Sequence, residues 1–145
     1  MLTNCLTKLR PLLRHFSEVE KSQHPHIPSE DEQTVFDKIV NREIKASVVF
    51  EDSKVLAFHD ISPQAPTHIV LVPKQRNGLT GLKACQEKHK ELLGHMVWAA
   101  SQVAQQQGLE EGWRLVVNDG KHGSQSVYHL HFHILGGRQL GWPPG

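Results

Sequence analysis

Residues 127–135 read VYHLHFHIL, a run in which His129, His131 and His133 alternate with Leu130, Phe132 and Ile134. Successive side chains of a strand point to opposite faces, so this alternation predicts a strand with three imidazoles on one face and Tyr128, Leu130, Phe132 and Ile134 on the other. The apolar face belongs in a core. Three titratable rings along one wall are costly to bury without partners, so their face is expected to line a cleft.

Three uses of such a row stay open on the residues alone. It is structural, it binds zinc, or it does covalent chemistry on phosphorus. At about 3.3 to 3.4 Å per residue His129 and His133 stand roughly 13 Å apart, whereas zinc needs each nitrogen within about 2.0 to 2.1 Å, so one ion cannot take all three without a bend. No clustered Cys or Asp/Glu set offers the remaining ligands, and no metal is expected. A neutral imidazole is a good nucleophile near pH 7, and a central histidine can be oriented by one neighbour and assisted by the other. Just upstream, residues 118–126 read NDGKHGSQS, a loop whose glycines permit close backbone approach and whose polar groups suit phosphate oxygens.

Outward from that stretch, 145 residues imply a single domain with a real core. The formal net charge is +1, which argues against a nucleic-acid surface. Residues 1–17 carry Lys8, Arg10 and Arg14 and no acid, leaving 13 basic against 15 acidic residues in the body. Leu2, Leu6, Leu9, Leu13 and Phe16 fall on one side of a helical wheel there, with the basic residues opposite. A basic amphipathic helix of this kind matches a mitochondrial transit peptide, and its apolar residues are too interrupted for a membrane span. A surface-lying tail of a cytoplasmic or nuclear protein is the alternative. Cys5 and Cys85 make no disulfide framework.

Residues 18–32 turn polar and read as a linker broken by Pro25 and Pro28, so the chain divides into an extension over 1–33 and a domain over 34–145. Ser29 with Glu32 predicts a capping box ahead of a short helix through Val35, Phe36, Ile39 and Val40. Residues 47–51 and 55–59 read as a hairpin, 68–72 as a buried strand, and 113–117 as another strand. A helix of about twenty residues ending near Gln107 carries Leu92, Leu93, Met96, Val97, Ala100, Val103 and Ala104 as its apolar stripe, with Gly108 as its stop. The fold class is α+β on an antiparallel sheet of about five strands.

HLHFHIL fits the histidine triad pattern. Residues 58–68 (FHDISPQAPTH), 118–131 (NDGKHGSQSVYHLH) and 136–145 (GGRQLGWPPG) also resemble the nucleotide-binding branch of the histidine triad superfamily, a resemblance that covers the chain from about Thr34 onward. The NDGK and GGRQL strings are similar to its mitochondrial member. The resemblance implies a hydrolase for the P–N bond of purine nucleoside 5′-phosphoramidates, working without a cofactor. It makes His131 the nucleophile, His129 the residue holding the far nitrogen of His131 through a relay with His68, and His133 a contact to phosphate oxygens. It makes Ser126 the donor to the leaving amine and Asn118, Ser124 and Gln125 phosphate or leaving-group contacts, with Val127 beside the nucleotide. Asp60 matches the acceptor for the ribose hydroxyls, and Phe36, Ile39, Phe58 and Ile61 the walls around a purine. Ser124 departs from a common glycine at its position, which bears on substrate range. A third histidine separates the chain from the nucleotidyltransferase branch, where glutamine stands. The remaining alternatives are a dinucleoside polyphosphate hydrolase and a nucleotide-regulated binding protein with vestigial catalysis. A homodimer is also implied, with Trp142 in a tail that reaches the partner.

Overall fold

The structure, a computed structural model, describes residues 16–145. The basic amphipathic segment read over residues 1–17 therefore lies, apart from its last two residues, outside the described part. Five strands form one antiparallel sheet: β1 (Val48–Glu51), β2 (Val55–His59), β3 (Thr67–Pro73), β4 (Trp113–Val116) and β5 (Phe132–Gly136), in the order β1-β2-β3-β5-β4. Among the described residues three α-helices accompany it: α1 (Glu18–Ser22), α2 (Val35–Val40) and α3 (Lys90–Gln106). The α+β expectation is met.

The period of two sorts the sheet into two faces. Val55, Ala57, Ile69, Leu71, Phe132 and Ile134 turn one way and bury the α3 stripe of Met96, Ala99, Ala100, Val103 and Ala104. Leu56, Phe58, Val70 and Val72 turn the other way and meet Phe36 and Ile39 of α2. Central β2 and β3 are thus buried on both faces, which is why they read as unbroken apolar runs.

Helix α3 spans 17 residues because two 3₁₀ turns, Leu82–Ala84 and Glu87–His89, occupy the approach to it. Val97, one position past Met96, faces outward beside Trp98, both about half exposed. The helix stops where expected. Gly108 takes φ +70°, Leu109 N–H donates to Ala104 O (3.1 Å) and Gly108 N–H to Gln105 O (3.1 Å), a Schellman ending that a left-handed glycine permits.

Three expectations need correction. The cap of α2 is Thr34 with Asp37, not Ser29 with Glu32. Thr34 Oγ1 accepts from Asp37 N (3.1 Å), and Asp37 Oδ2 accepts from Thr34 N (2.8 Å). Residues 18–32, read as a linker, are mostly exposed but carry more local structure than a plain linker. They open with α1, capped by Ser17 and Glu20, and Ser22 is wholly buried. Farther on, Arg76 Nη2 donates to the carbonyls of Ser29 (3.0 Å), Glu30 (3.2 Å) and Glu32 (2.7 Å). Lastly, β5 begins only at Phe132. Its ladder with β3 ends at the Leu71 and Phe132 pair, beyond which Leu130 N–H turns to Leu79 O (2.9 Å). Residues 129–131 lie outside the ladder, with a bend at His129, yet Leu130 still packs in the core with Phe132 and Ile134 while His131 meets Phe36 on the other side.

Candidate active site

Each ring of the histidine run has a tautomer that its partners fix. His131 Nδ1 is 2.7 Å from the carbonyl oxygen of His129. A carbonyl only accepts, so Nδ1 carries the proton and Nε2 presents a lone pair. Gln64 N–H donates to His68 Nδ1 (3.0 Å), so the proton of His68 sits on Nε2, which donates to His133 Nδ1 (2.9 Å). His133 must therefore carry its proton on Nε2. One imidazole offers a lone pair, its neighbour a donor, and the two rings pack edge to face at 5.0 Å.

The sheet explains this pairing. His68 on β3 is opposite Leu135 and His133 on β5 is opposite Val70, so the two histidines are diagonal neighbours on the same face. Asp60, just past β2, comes within 3.4 Å of His68 Nε2 while its Oδ1 accepts from Ser62 N (2.8 Å). The role expected of the His129 side chain thus belongs to its backbone. The His129 ring points away, with Nε2 donating to Pro73 O (3.1 Å) and Nδ1 accepting from Thr34 Oγ1 (2.9 Å). The relay from His68 runs to His133, and His129 is a fully buried tie between the histidine segment, the end of β3 and the start of α2.

Burial holds all four rings neutral. Desolvation pushes His68, His129 and His131 below the ordinary histidine value. His133 is pushed down to about 4, by desolvation first and then by the neighbouring His131 and His68. A neutral His131 is what a nucleophile at neutral pH requires.

The apolar residues join the same site. Phe36 meets the His131 ring at 4.9 Å and Phe58 at 5.8 Å, with Ile39 buried alongside. Ile61 stands apart, 99% exposed. Asn118 and Val127 are half-buried at the two ends of the upstream loop, and Trp142 is 84% exposed. Ser124 adopts φ +60°, the left-handed backbone that favours glycine and that serine tolerates at a cost. The Gln125 side chain, expected at the ligand, is buried and turned into the loop. Its amide bridges Gly120 N (2.9 Å), Thr80 O (2.7 Å) and Val127 O (3.2 Å), so it shapes the loop from within. The residues that sequence reasoning missed are Thr34, Gln64 through its backbone, and Glu18 of α1, whose carboxylate accepts the Ser126 hydroxyl across 108 positions of chain. A Thr-x-x-Asp box was readable at Thr34. Nothing local pointed to Glu18.

A family model described as HIT domain matches residues 41–140. The chain belongs to the HIT family. A "14 kDa zinc-binding protein" of Zea mays is 59% identical over 116 residues, covering 80% of this chain and 91% of its own length. "Adenylylsulfatase HINT1" of Arabidopsis thaliana is 58% identical over 115 residues, covering 79% of this chain and 78% of its own. The solved structure of a HIT family hydrolase from Legionella pneumophila Philadelphia 1 superposes with a TM-score of 0.74 at 47% identity, over 78% of this chain and all of the other.

The zinc in one relative's name can be tested against the geometry. Among the described residues Asp60, His68 and His133 bring three donor atoms within 4.8 Å of one another, a set compatible in kind with zinc. Their arrangement does not fit it. His68 Nε2 and His133 Nδ1 are 2.9 Å apart across a shared proton, closer than the roughly 3.3 Å that two nitrogens keep around a tetrahedral ion with bonds of about 2.05 Å. Among the described residues, no helix is long and apolar enough to cross a membrane.

Proposed function

We propose that this HIT protein hydrolyses the P–N bond of purine nucleoside 5′-phosphoramidates, giving a nucleoside monophosphate and an amine. The observation that carries the reading is the chain of hydrogen bonds from Gln64 through His68 to His133 and from His131 to the His129 carbonyl, which assigns a lone pair to His131 Nε2 and a donor to His133 Nε2 on rings 5.0 Å apart. The His131 lone pair attacks the α-phosphorus. The P–N bond breaks with its electron pair on nitrogen, which takes a proton from the Ser126 hydroxyl as that hydroxyl turns to it from Glu18 and regains a proton from solvent. As His131 becomes a nucleotidyl-imidazolium, its Nδ1–H strengthens its bond to the His129 carbonyl, and His133 donates to a phosphate oxygen where charge develops. Water then attacks phosphorus and gives up a proton to solvent, replacing the one consumed by the amine, while the P–Nε2 bond breaks with its electron pair on nitrogen and His131 returns to its neutral tautomer.

Phe36, Phe58 and Ile39 supply the apolar side for a purine, and Asp60 an acceptor for ribose hydroxyls. The printed name of the Arabidopsis relative supports chemistry at an adenylyl phosphorus. Exposed Val97 and Trp98 on α3 support a homodimer across that helix, and the basic amphipathic segment over residues 1–17 supports a mitochondrial address. Release of AMP from adenosine 5′-phosphoramidate by the wild type, abolished in His131→Ala, tests the reading. Tight AMP binding without turnover would favour a nucleotide-regulated binding protein instead.

A further inference from the structure

The most unexpected contact to the site comes from α1. The family model begins at residue 41, and the relatives described above match no more than 116 of the 145 residues, so Glu18 belongs to chain the family model does not include. A five-residue helix does not hold itself together in water, and tertiary contacts fix this one. Ser22 at its end is completely buried, Glu18 at its start reaches Ser126, and farther along the chain Arg76 holds the carbonyls of Ser29, Glu30 and Glu32. So anchored, the first residue of α1 turns one carboxylate oxygen to Ser126 Oγ, while Lys21 Nζ holds the other at 2.7 Å from the solvent side. Burial opposes its ionisation, yet the hydrogen bonds from Lys21 and Ser126 outweigh that and keep Glu18 below the ordinary carboxylate value. Its charge is also felt at His68, His131 and His133, where it acts against the fall in their pKa values.

We infer that Glu18 is a specificity-determining residue that places a negative charge beside the leaving group, favouring cationic amines and disfavouring anionic leaving groups such as sulfate or phosphate. The inference rests on the reading of Ser126 as the leaving-group donor. Glu18 takes no part in bond making. The nitrogen of a departing amine carries the electron pair of the broken P–N bond and gains a proton, and an ammonium on the same leaving group is attracted to the carboxylate. A departing sulfate is repelled by it. In a site partly shielded from water a single charge of this kind changes relative rates about tenfold.

The test is a charge series with the full chain: adenosine 5′-phosphoramidate N-substituted with 2-aminoethyl (cationic) or propyl (neutral), and adenosine 5′-phosphosulfate (anionic). In the wild type kcat/KM should fall in that order. Glu18→Gln, which keeps shape and removes charge, should shrink the cationic-to-anionic ratio about tenfold, and Glu18→Lys should reverse the preference between the cationic and anionic compounds. An equal change on all three compounds would mean that α1 merely plugs or props the site, and an unchanged ratio would mean that the carboxylate is not sensed. Either overturns the inference. If the wild type turns over no phosphoramidate, the proposed reaction fails on its own. The charge preference is then read from dissociation constants of the same compounds with His131→Ala, with and without Glu18→Gln. A Glu18-dependent order of affinities sustains it and a flat one ends it.

Discussion

His131 Nδ1 donates to the carbonyl oxygen of His129, two residues earlier in the chain, at 2.7 Å. The nucleophile is thus oriented by backbone, and the His129 ring is free to serve as a buried tie to Thr34 and Pro73. Truncating that ring leaves a cavity and two orphaned partners but spares the carbonyl. His129→Ala should therefore cost about 2–4 kcal/mol of stability in urea unfolding while activity survives below the unfolding transition. A variant of wild-type stability that is catalytically dead would show that the ring itself works in the chemistry.

The acid limb of kcat/KM should lie below 6.5, the ordinary histidine value, because burial lowers the pKa of His131 and keeps its nucleophilic lone pair free at mildly acidic pH. A pH–rate profile gives this directly, and a limb above 6.5 contradicts it. Stability follows the same direction. His133 titrates near 4 in the folded chain, so between the unfolded value and 4 the unfolded chain binds more protons than the native one. Stability is full above about 6.5 and drains as pH falls, by about 3 kcal/mol from His133 alone. Denaturation at pH 7.5 and pH 4.5 checks the sign.

The loop ahead of the histidines has little room. A Cβ on Gly123 would run into the carbonyl oxygen of Asp119 and come within 2.8 Å of its nitrogen. Gly123→Ala should deform the loop and lower kcat/KM at least tenfold, with a smaller loss of stability. Wild-type kinetics in this variant would mean that the loop does not position the reacting group.

Arg76 ties residues 29–32 to the body through three carbonyls. Replacing it by alanine should release the segment that leads back to α1. Limited proteolysis should then cut within residues 23–33 much faster than in the wild type, and persistent protection would show that other contacts hold the segment.

Much of this was legible in the residues because periodicity survives translation into structure. The alternation of His129, His131 and His133 with Leu130, Phe132 and Ile134 does separate a site face from a core face, and the stripe from Met96 to Ala104 does seat α3 on the sheet. The roles of individual rings were not legible. Whether His68 meets His129 or His133 depends on the register of β3 against β5, which neither strand encodes alone. Gln125 reads as a ligand contact in any polar loop, and only the positions of Gly120 and Thr80 show its amide turned inward. Glu18 was hidden for the same reason, since its partner lies 108 residues away.

Because the relay between His68 and His133 is closed by a proton, turnover should be unaffected by prolonged dialysis against a chelator. Loss of activity restored by stoichiometric zinc would show that Asp60, His68 and His133 part to hold an ion.

The central claim is that His131 carries the nucleotide. Rapid-quench intact-mass spectrometry of the protein mixed with adenosine 5′-phosphoramidate should show an AMP-sized adduct on His131 that forms and decays with turnover, absent from His131→Ala along with AMP release. AMP release that persists in His131→Ala would contradict the account.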